Sequence, residues 1–168
     1  MLTLADNRFS LYELIDWRNR YNIFSERRAL LASWCRTIEL AVIERQINTE
    51  VYAGFQQMRY LRPILPRYQK MSTFASHVWV FGQPSSDDPA LDRVHGIYLQ
   101  PGDQLIKEWF LVVKHPSYAR ALVAHEMSKP GTPHSKRIFR GILTSDHGQV
   151  ALFDNLLKDR VAKLQAAP

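Results

Sequence analysis

Hydrophobic positions along the chain change their period near residue 74. Before that point they recur every three or four residues. Phe9, Tyr12, Leu14, Ile15 and Trp17 do so in residues 7–20. Leu30, Trp34, Ile38 and Val42, with Leu31 and Cys35 alongside, do so in residues 25–46, and Val51, Phe55 and Met58 in residues 50–61. Such spacing puts the apolar residues on one face of a helix, so three helices are expected. Asp6 or Ser10 is placed to cap the first, Ser25 the second, and Asn48 or Thr49 the third. Pro63 and Pro66 are expected to end the third, since proline lacks the N–H and keeps its predecessor out of the helical region. Arg28, Arg36, Glu39 and Glu44 fall largely off the long stripe and are expected in water.

After residue 74 the pattern becomes short apolar runs between turn residues. Residues 74–82 and 94–99 read as strands, separated by the polar, proline-punctuated loop 83–90. Residues 109–113, Trp-Phe-Leu-Val-Val, read as the strand that organises the rest. Alternation puts Ile106, Glu108, Phe110 and Val112 on one face and Trp109, Leu111 and Val113 on the other. Both faces are apolar, so this strand is expected in the middle of a sheet covered on both sides. Pro116 and Ser117 break the run, and the alanine-rich residues 118–127 read as a short helix. A loop at 129–135, a fourth strand at 138–144 and a last helix at 149–166 complete the chain. In that helix Phe153, Leu156 or Leu157, Val161 and Leu164 mimic a heptad seam, which serves either docking on the sheet or a homodimer contact. The expected fold is a single α+β domain over residues 1–168. It has a helical part at 1–70, a four-stranded, largely antiparallel sheet at 74–144, and helices packed on the sheet.

Composition narrows the function classes. The 168 residues are 46% hydrophobic and 23% charged, ordinary for a globular chain. No apolar run reaches the ~20 residues of a membrane span. The first residues lack a basic start followed by an apolar core, so no signal peptide is expected. The one cysteine, Cys35, has no partner for an internal disulfide, which fits a cytoplasmic setting.

Net charge is +6, from 22 basic and 16 acidic residues. The plain reading of this excess is a solvated basic surface. Arg59, Arg62, Arg67 and Lys70, interleaved with Tyr60 and Tyr68, offer a second reading. Cations neutralise phosphates and tyrosine faces stack on bases, so a nucleic-acid or partner surface is the alternative. Lys136, Arg137 and Arg140 form a second basic group.

Catalytic motifs are missing. His125-Glu126 has no second histidine one turn on, and neither a phosphate-binding glycine loop nor a nucleophile elbow occurs. Histidines 77, 95, 115, 125, 134 and 147 show no ligand spacing, so no metal site is expected and no cofactor can be named. Cys35 on an apolar stripe reads as a small hydrophobe rather than a redox or chromophore-attaching group. Glu108 is different, because a carboxylate on an apolar strand face must be paired or wet. It is either a structural anchor or the polar point of an apolar ligand pocket, near which His77, Trp79, Tyr98, Trp109 and His125 are candidates. An acid–base enzyme built on Glu108 and His125 is the remaining reading.

Four stretches together resemble the DICT domain, a sensory module of diguanylate cyclases and two-component systems. They are Phe55-Gln56 with Arg67-Tyr68, Val78-Trp79-Val80-Phe81-Gly82, Glu108-Trp109-Phe110-Leu111-Val112-Val113, and Ala121-Leu122-Val123-Ala124-His125-Glu126. The resemblance covers about residues 50–145. It implies an α+β fold with a four-stranded sheet and a non-enzymatic signalling role in a bacterium, with cyanobacteria and light responses as the finer expectation. It implies no catalytic residues. Where such domains often continue Gly-x-Pro-Asp, this chain has Gly82-Gln83-Pro84-Ser85, and the acid is lost. With no room for an output domain in 168 residues, a signalling protein partner is expected.

Overall fold

The computed structural model describes residues 9–166. Asp6 and Asn7, named above as a cap and a helix start, lie outside them, as do the residues read for a signal peptide. The strands are β1 (Ile23–Arg27), β2 (Glu50–Gln57), β3 (His77–Gln83), β4 (His95–Tyr98), β5 (Glu108–His115), β6 (Tyr118–Glu126) and β7 (Ile138–Thr144). The helices are α1 (Arg28–Glu44), α2 (Leu65–Met71) and α3 (His147–Ala166). All seven strands join in one sheet in the order β1-β7-β6-β5-β2-β3-β4. The β2–β3 and β3–β4 junctions are parallel and the others antiparallel.

The expected four-stranded, largely antiparallel sheet is therefore wrong, although the fold is still α+β. The four expected strands exist as β3, β4, β5 and β7. Of the other three, β2 and β6 come from segments expected to be helical, and β1 takes in the expected start of the long helix. Residues 118–127 have the alanine and leucine content of a helix, but Pro116 and Ser117 form a two-residue turn that returns the chain alongside β5, pairing His115 with Tyr118. Period-two burial then holds, with Ala119, Ala121 and Val123 on one face and Leu122 and Ala124 on the other. In residues 50–57 the spacing of Val51, Phe55 and Met58 imitates a helix. Gly54 reveals the strand, because its bare Cα lies under the Phe110 ring of β5, where a Cβ would come 2.2 Å from Cε1. Thr49 caps no helix; its hydroxyl donates to the Lys114 carbonyl at 2.6 Å. Ser25 sits in β1, and the cap of α1 is Arg27, two residues later than expected. The first expected helix is only a 3-10 turn at Tyr12–Leu14. In β1, β2 and β6 pairing with a neighbouring strand outweighed local helix propensity, a preference of well under 1 kcal/mol per residue.

The sheet separates two apolar layers. On one side Leu31, Cys35, Ile38 and Val42 of α1 pack with Tyr68 and Met71 of α2 against Val51, Val80, Leu111, Val113 and Leu122. On the other, Leu11 and Ile15 pack with Val150, Phe153, Leu157 and Val161 of α3 against Tyr52, Phe81, Phe110, Val112 and Val123. β5 is the fourth strand of seven and buried on both faces, with the alternation read from its sequence. The α3 stripe docks on the sheet through Phe153, Leu157 and Val161, while Leu164 is exposed. Glu39, expected in water, is only 1% exposed, because it follows Cys35 by one turn on the buried stripe.

Candidate functional site

β2 does not run straight to its end. Its pairing with β3 shifts register between Gly54 and Gln57, and Gln56 adopts φ +66°. Left-handed backbone is unfavourable for a residue with a Cβ, and bulges of this kind re-aim a side chain. Here the bulge turns the Gln56 amide into the interior, where it donates to Glu126 Oε2 at 2.9 Å and accepts from Arg137 Nη2. Arg137 also grips Glu126 in bidentate fashion, Nε to Oε1 at 2.7 Å and Nη2 to Oε2 at 2.6 Å. Burial alone would raise the Glu126 carboxyl; hydrogen bonds from Arg137 and Gln56 and the Arg137 charge hold it below the usual carboxylate range.

Gln56 and Arg137 of this triad line a cavity between α1, the bulge and β5. Arg28, Cys35, Glu39, Tyr60, Arg67 and Trp109 supply most of the rest, with Phe55, Pro63 and Ile64 closing the apolar side. Trp109 stands edge-on to Phe139 at 5.3 Å, which fixes its ring. The free volume is about 80 Å³. That is several times what one water needs, yet well below the ~300–1,000 Å³ of a drug-sized pocket, so an occupant must be small.

The charges in the cavity are unevenly matched. Arg67 donates to Glu39 at 2.8 Å, and Arg137 is committed to Glu126. Burial raises the Glu39 carboxyl, against the opposing pull of the Tyr68 hydroxyl and Arg67. Arg28, at the first turn of α1, has no ion-pair partner among the described residues. Burial, and then the positive charge of Arg137, depress its guanidinium. The same field reaches His134, stacked on Tyr60 at 5.2 Å and held below its ordinary range by burial, then by Arg28 and Arg137. Cys35 in the wall has a thiol pushed well up, first by burial and then by Glu39, so it packs as a neutral group. A second, more open cleft lies beside the loop after β6, and Tyr60 and Arg137 line both.

Of the six residues singled out as ligand candidates, only Trp109 lines the cavity between α1 and the sheet. Glu108 faces the opposite side and is fully buried under the N-terminal segment, accepting the Tyr12 N–H at 2.6 Å and the Ser10 hydroxyl at 3.3 Å. His125 is its cross-strand neighbour, and its ring meets that of Tyr12 at 5.0 Å. The pair expected as acid and base thus stands together, covered by residues 10–12. His77, Trp79 and His95 gather at the other end of the sheet, with the Trp79 and His95 ring centroids 4.6 Å apart and His77 Nδ1 3.4 Å from His95 Nε2. Tyr98 is exposed on the edge strand. Among the described residues no group of three potential ligands could hold a metal ion.

The basic segment is partly spent on the fold. Arg67 pairs with Glu39, Tyr68 is buried, and Arg62 donates to the Asp87 carbonyl. Arg59 lies over Tyr60 at 5.6 Å and Lys70 over Phe74 at 5.9 Å. Arg140 covers Trp17 at 4.6 Å. The sequence puts Arg28 and Glu39 in water, offers Arg137 only as part of a basic group and Gln56 only within the family resemblance, yet all four line the cavity. Two left a signal: Glu39 follows Cys35 by one helical turn, and Gln56 ends an apolar run.

A family model described as DICT, a sensory domain in diguanylate cyclases and two-component systems, matches residues 9–127. That span includes Arg28, Gln56, Trp109 and Glu126, and stops before Arg137, β7 and α3. No curated protein and no solved structure matches the chain.

Proposed function

We propose, for a chain that belongs to the DICT family of sensory domains, that it senses a small ligand in the cavity between α1 and the β2 bulge and passes the change to a signalling protein. The observation carrying this reading is the strained Gln56 backbone, which serves no turn and instead completes the wall of a charged cavity. Left-handed non-glycine backbone held by its surroundings is characteristic of functional sites. In this reading the domain catalyses nothing. It reports by a difference in ligand affinity between two conformations, a tenfold difference being worth about 1.4 kcal/mol. A homodimer through α3 is compatible with it.

The setting we propose is the bacterial cytoplasm, with cyanobacterial light responses as the first place to look, on the strength of family membership. Among the described residues no helix is long and apolar enough to cross a membrane. The nucleic-acid alternative has less in its favour, because Arg67 and Tyr68 are engaged within the fold.

A thermal-shift screen against a metabolite library, on the wild type and on Ala32→Phe, tests the ligand reading, since Ala32 lines the cavity and phenylalanine would fill it. Compounds that stabilise the wild type and not the variant support the reading. A library whose every effect survives Ala32→Phe overturns it.

A further inference from the structure

We infer that the occupant of this cavity is a small organic oxyanion, a carboxylate or phosphate ester on a flat apolar body, held by Arg28 together with Arg137. The inference rests on the ligand reading above and adds the chemistry of the ligand.

Three guanidinium groups, of Arg28, Arg67 and Arg137, line the cavity, and among the described residues only Glu39 and Glu126 pair with them. Of the three, Arg28 is the one without an ion-pair partner among the described residues. A half-buried guanidinium without a partner is costly, and an incoming anion that pairs with it recovers that cost. The mutual repulsion of Arg28 and Arg137 points the same way, since an oxyanion between them would relieve it. Guanidinium groups suit this task, because their planar forks match carboxylate and phosphate oxygens.

Shape completes the description. Phe55, Trp109, Pro63 and Ile64 supply the apolar part of the lining, and Tyr60 lines both this cavity and the open cleft. A flat apolar body fits against such rings, gaining area burial and offset stacking. The volume restricts that body to about one ring. Tyr60 already carries the Arg137 guanidinium at 5.8 Å and the Arg59 guanidinium at 5.6 Å. The mouth is thus a positive funnel, which raises the local concentration of anions.

The test is calorimetric titration of the whole chain with three probes of one shape: benzoate, phenyl phosphate and neutral benzamide. The two anions should bind, and benzamide should bind at least about tenfold more weakly, the worth of a charge-assisted bond. Arg28→Gln should weaken the anions by a similar factor and leave benzamide unchanged, while Arg28→Lys recovers part of the loss. Lys163→Gln, exposed on α3 at the far side of the sheet, should change affinity by no more than about twofold. Trp109→Phe keeps a flat wall and should retain the preference for anions. Benzamide binding as tightly as benzoate, or anion binding indifferent to Arg28→Gln, overturns the inference. If neither anion binds while library compounds still lose their effect in Ala32→Phe, the ligand reading stands and the anion chemistry falls.

Discussion

Glu108 accepts the backbone N–H of Tyr12, 96 residues away, at 2.6 Å. The bond pins the N-terminal segment across the strand expected to organise the fold. It does so with a fully buried carboxyl whose second oxygen has no hydrogen-bond partner among the described residues. Burial raises this group to about 7, although the Tyr12 and Leu11 amides and the Ser10 hydroxyl pull it down.

A pH dependence follows. The folded carboxyl binds its proton more tightly than the unfolded one, whose ordinary value is 4.5. Its contribution is therefore complete below about 4.5 and is lost as pH rises through about 7, a swing on the order of 3 kcal/mol. His125 slopes the other way, because burial, then Lys107, lowers it and neutral histidine is favoured at higher pH. The two are separated by Glu108→Gln, which stops only the carboxyl from titrating. Its stability relative to wild type should rise steadily between about pH 4.5 and 7. Urea unfolding at a series of pH values checks this, and parallel curves would contradict it.

Gln56 combines backbone strain with buried hydrogen bonds, and two substitutions separate them. Gln56→Gly removes both, whereas Gln56→Ala removes only the bonds to Glu126 and Arg137. Both should destabilise the protein, alanine by about 1–3 kcal/mol for the partners left unpaired. Glycine should be less damaging than alanine by about 1 kcal/mol, since it adopts φ +66° without penalty. Chemical denaturation of the two variants side by side gives the difference.

Gly141 in β7 leaves no room for a side chain. A Cβ there would lie 1.9 Å from the Val123 carbonyl oxygen and 2.6 Å from the Ala124 Cα, both backbone of β6. A backbone cannot step aside as a flexible side chain does. Gly141→Ala should cost 3 kcal/mol or more, in the range of severe overpacking. Soluble yield and melting temperature are the readouts.

Arg160 of α3 and Asp103, in the loop before β5, form a buried ion pair, with Arg160 Nη1 at 3.3 Å from Oδ1. Asp103 also accepts the Leu105 N–H at 3.0 Å. Arg160→Met leaves a buried carboxylate unpaired and should cost about 3–5 kcal/mol. Adding Asp103→Asn keeps an acceptor for Leu105 and removes the charge, so the double variant should recover much of the loss. A double-mutant cycle by thermal denaturation measures the recovery.

The sequence by itself determined the α+β class, the four strands β3, β4, β5 and β7, the two-sided burial of β5, and the DICT family. These rest on period and local chemistry: Trp109 to Val113 is bulky and apolar on both faces wherever it is placed. Only the tertiary structure decided that residues 50–57 and 118–126 are extended, since alanine, glutamate and leucine there favour a helix until neighbouring strands offer them ladders. The candidate site was less legible still. Arg28, Gln56 and Arg137 are far apart in the chain and each resembles a surface residue. What brings them together is a bulge, one helix start and the return of β7, and pairing between distant strands leaves no periodic trace in any one of them.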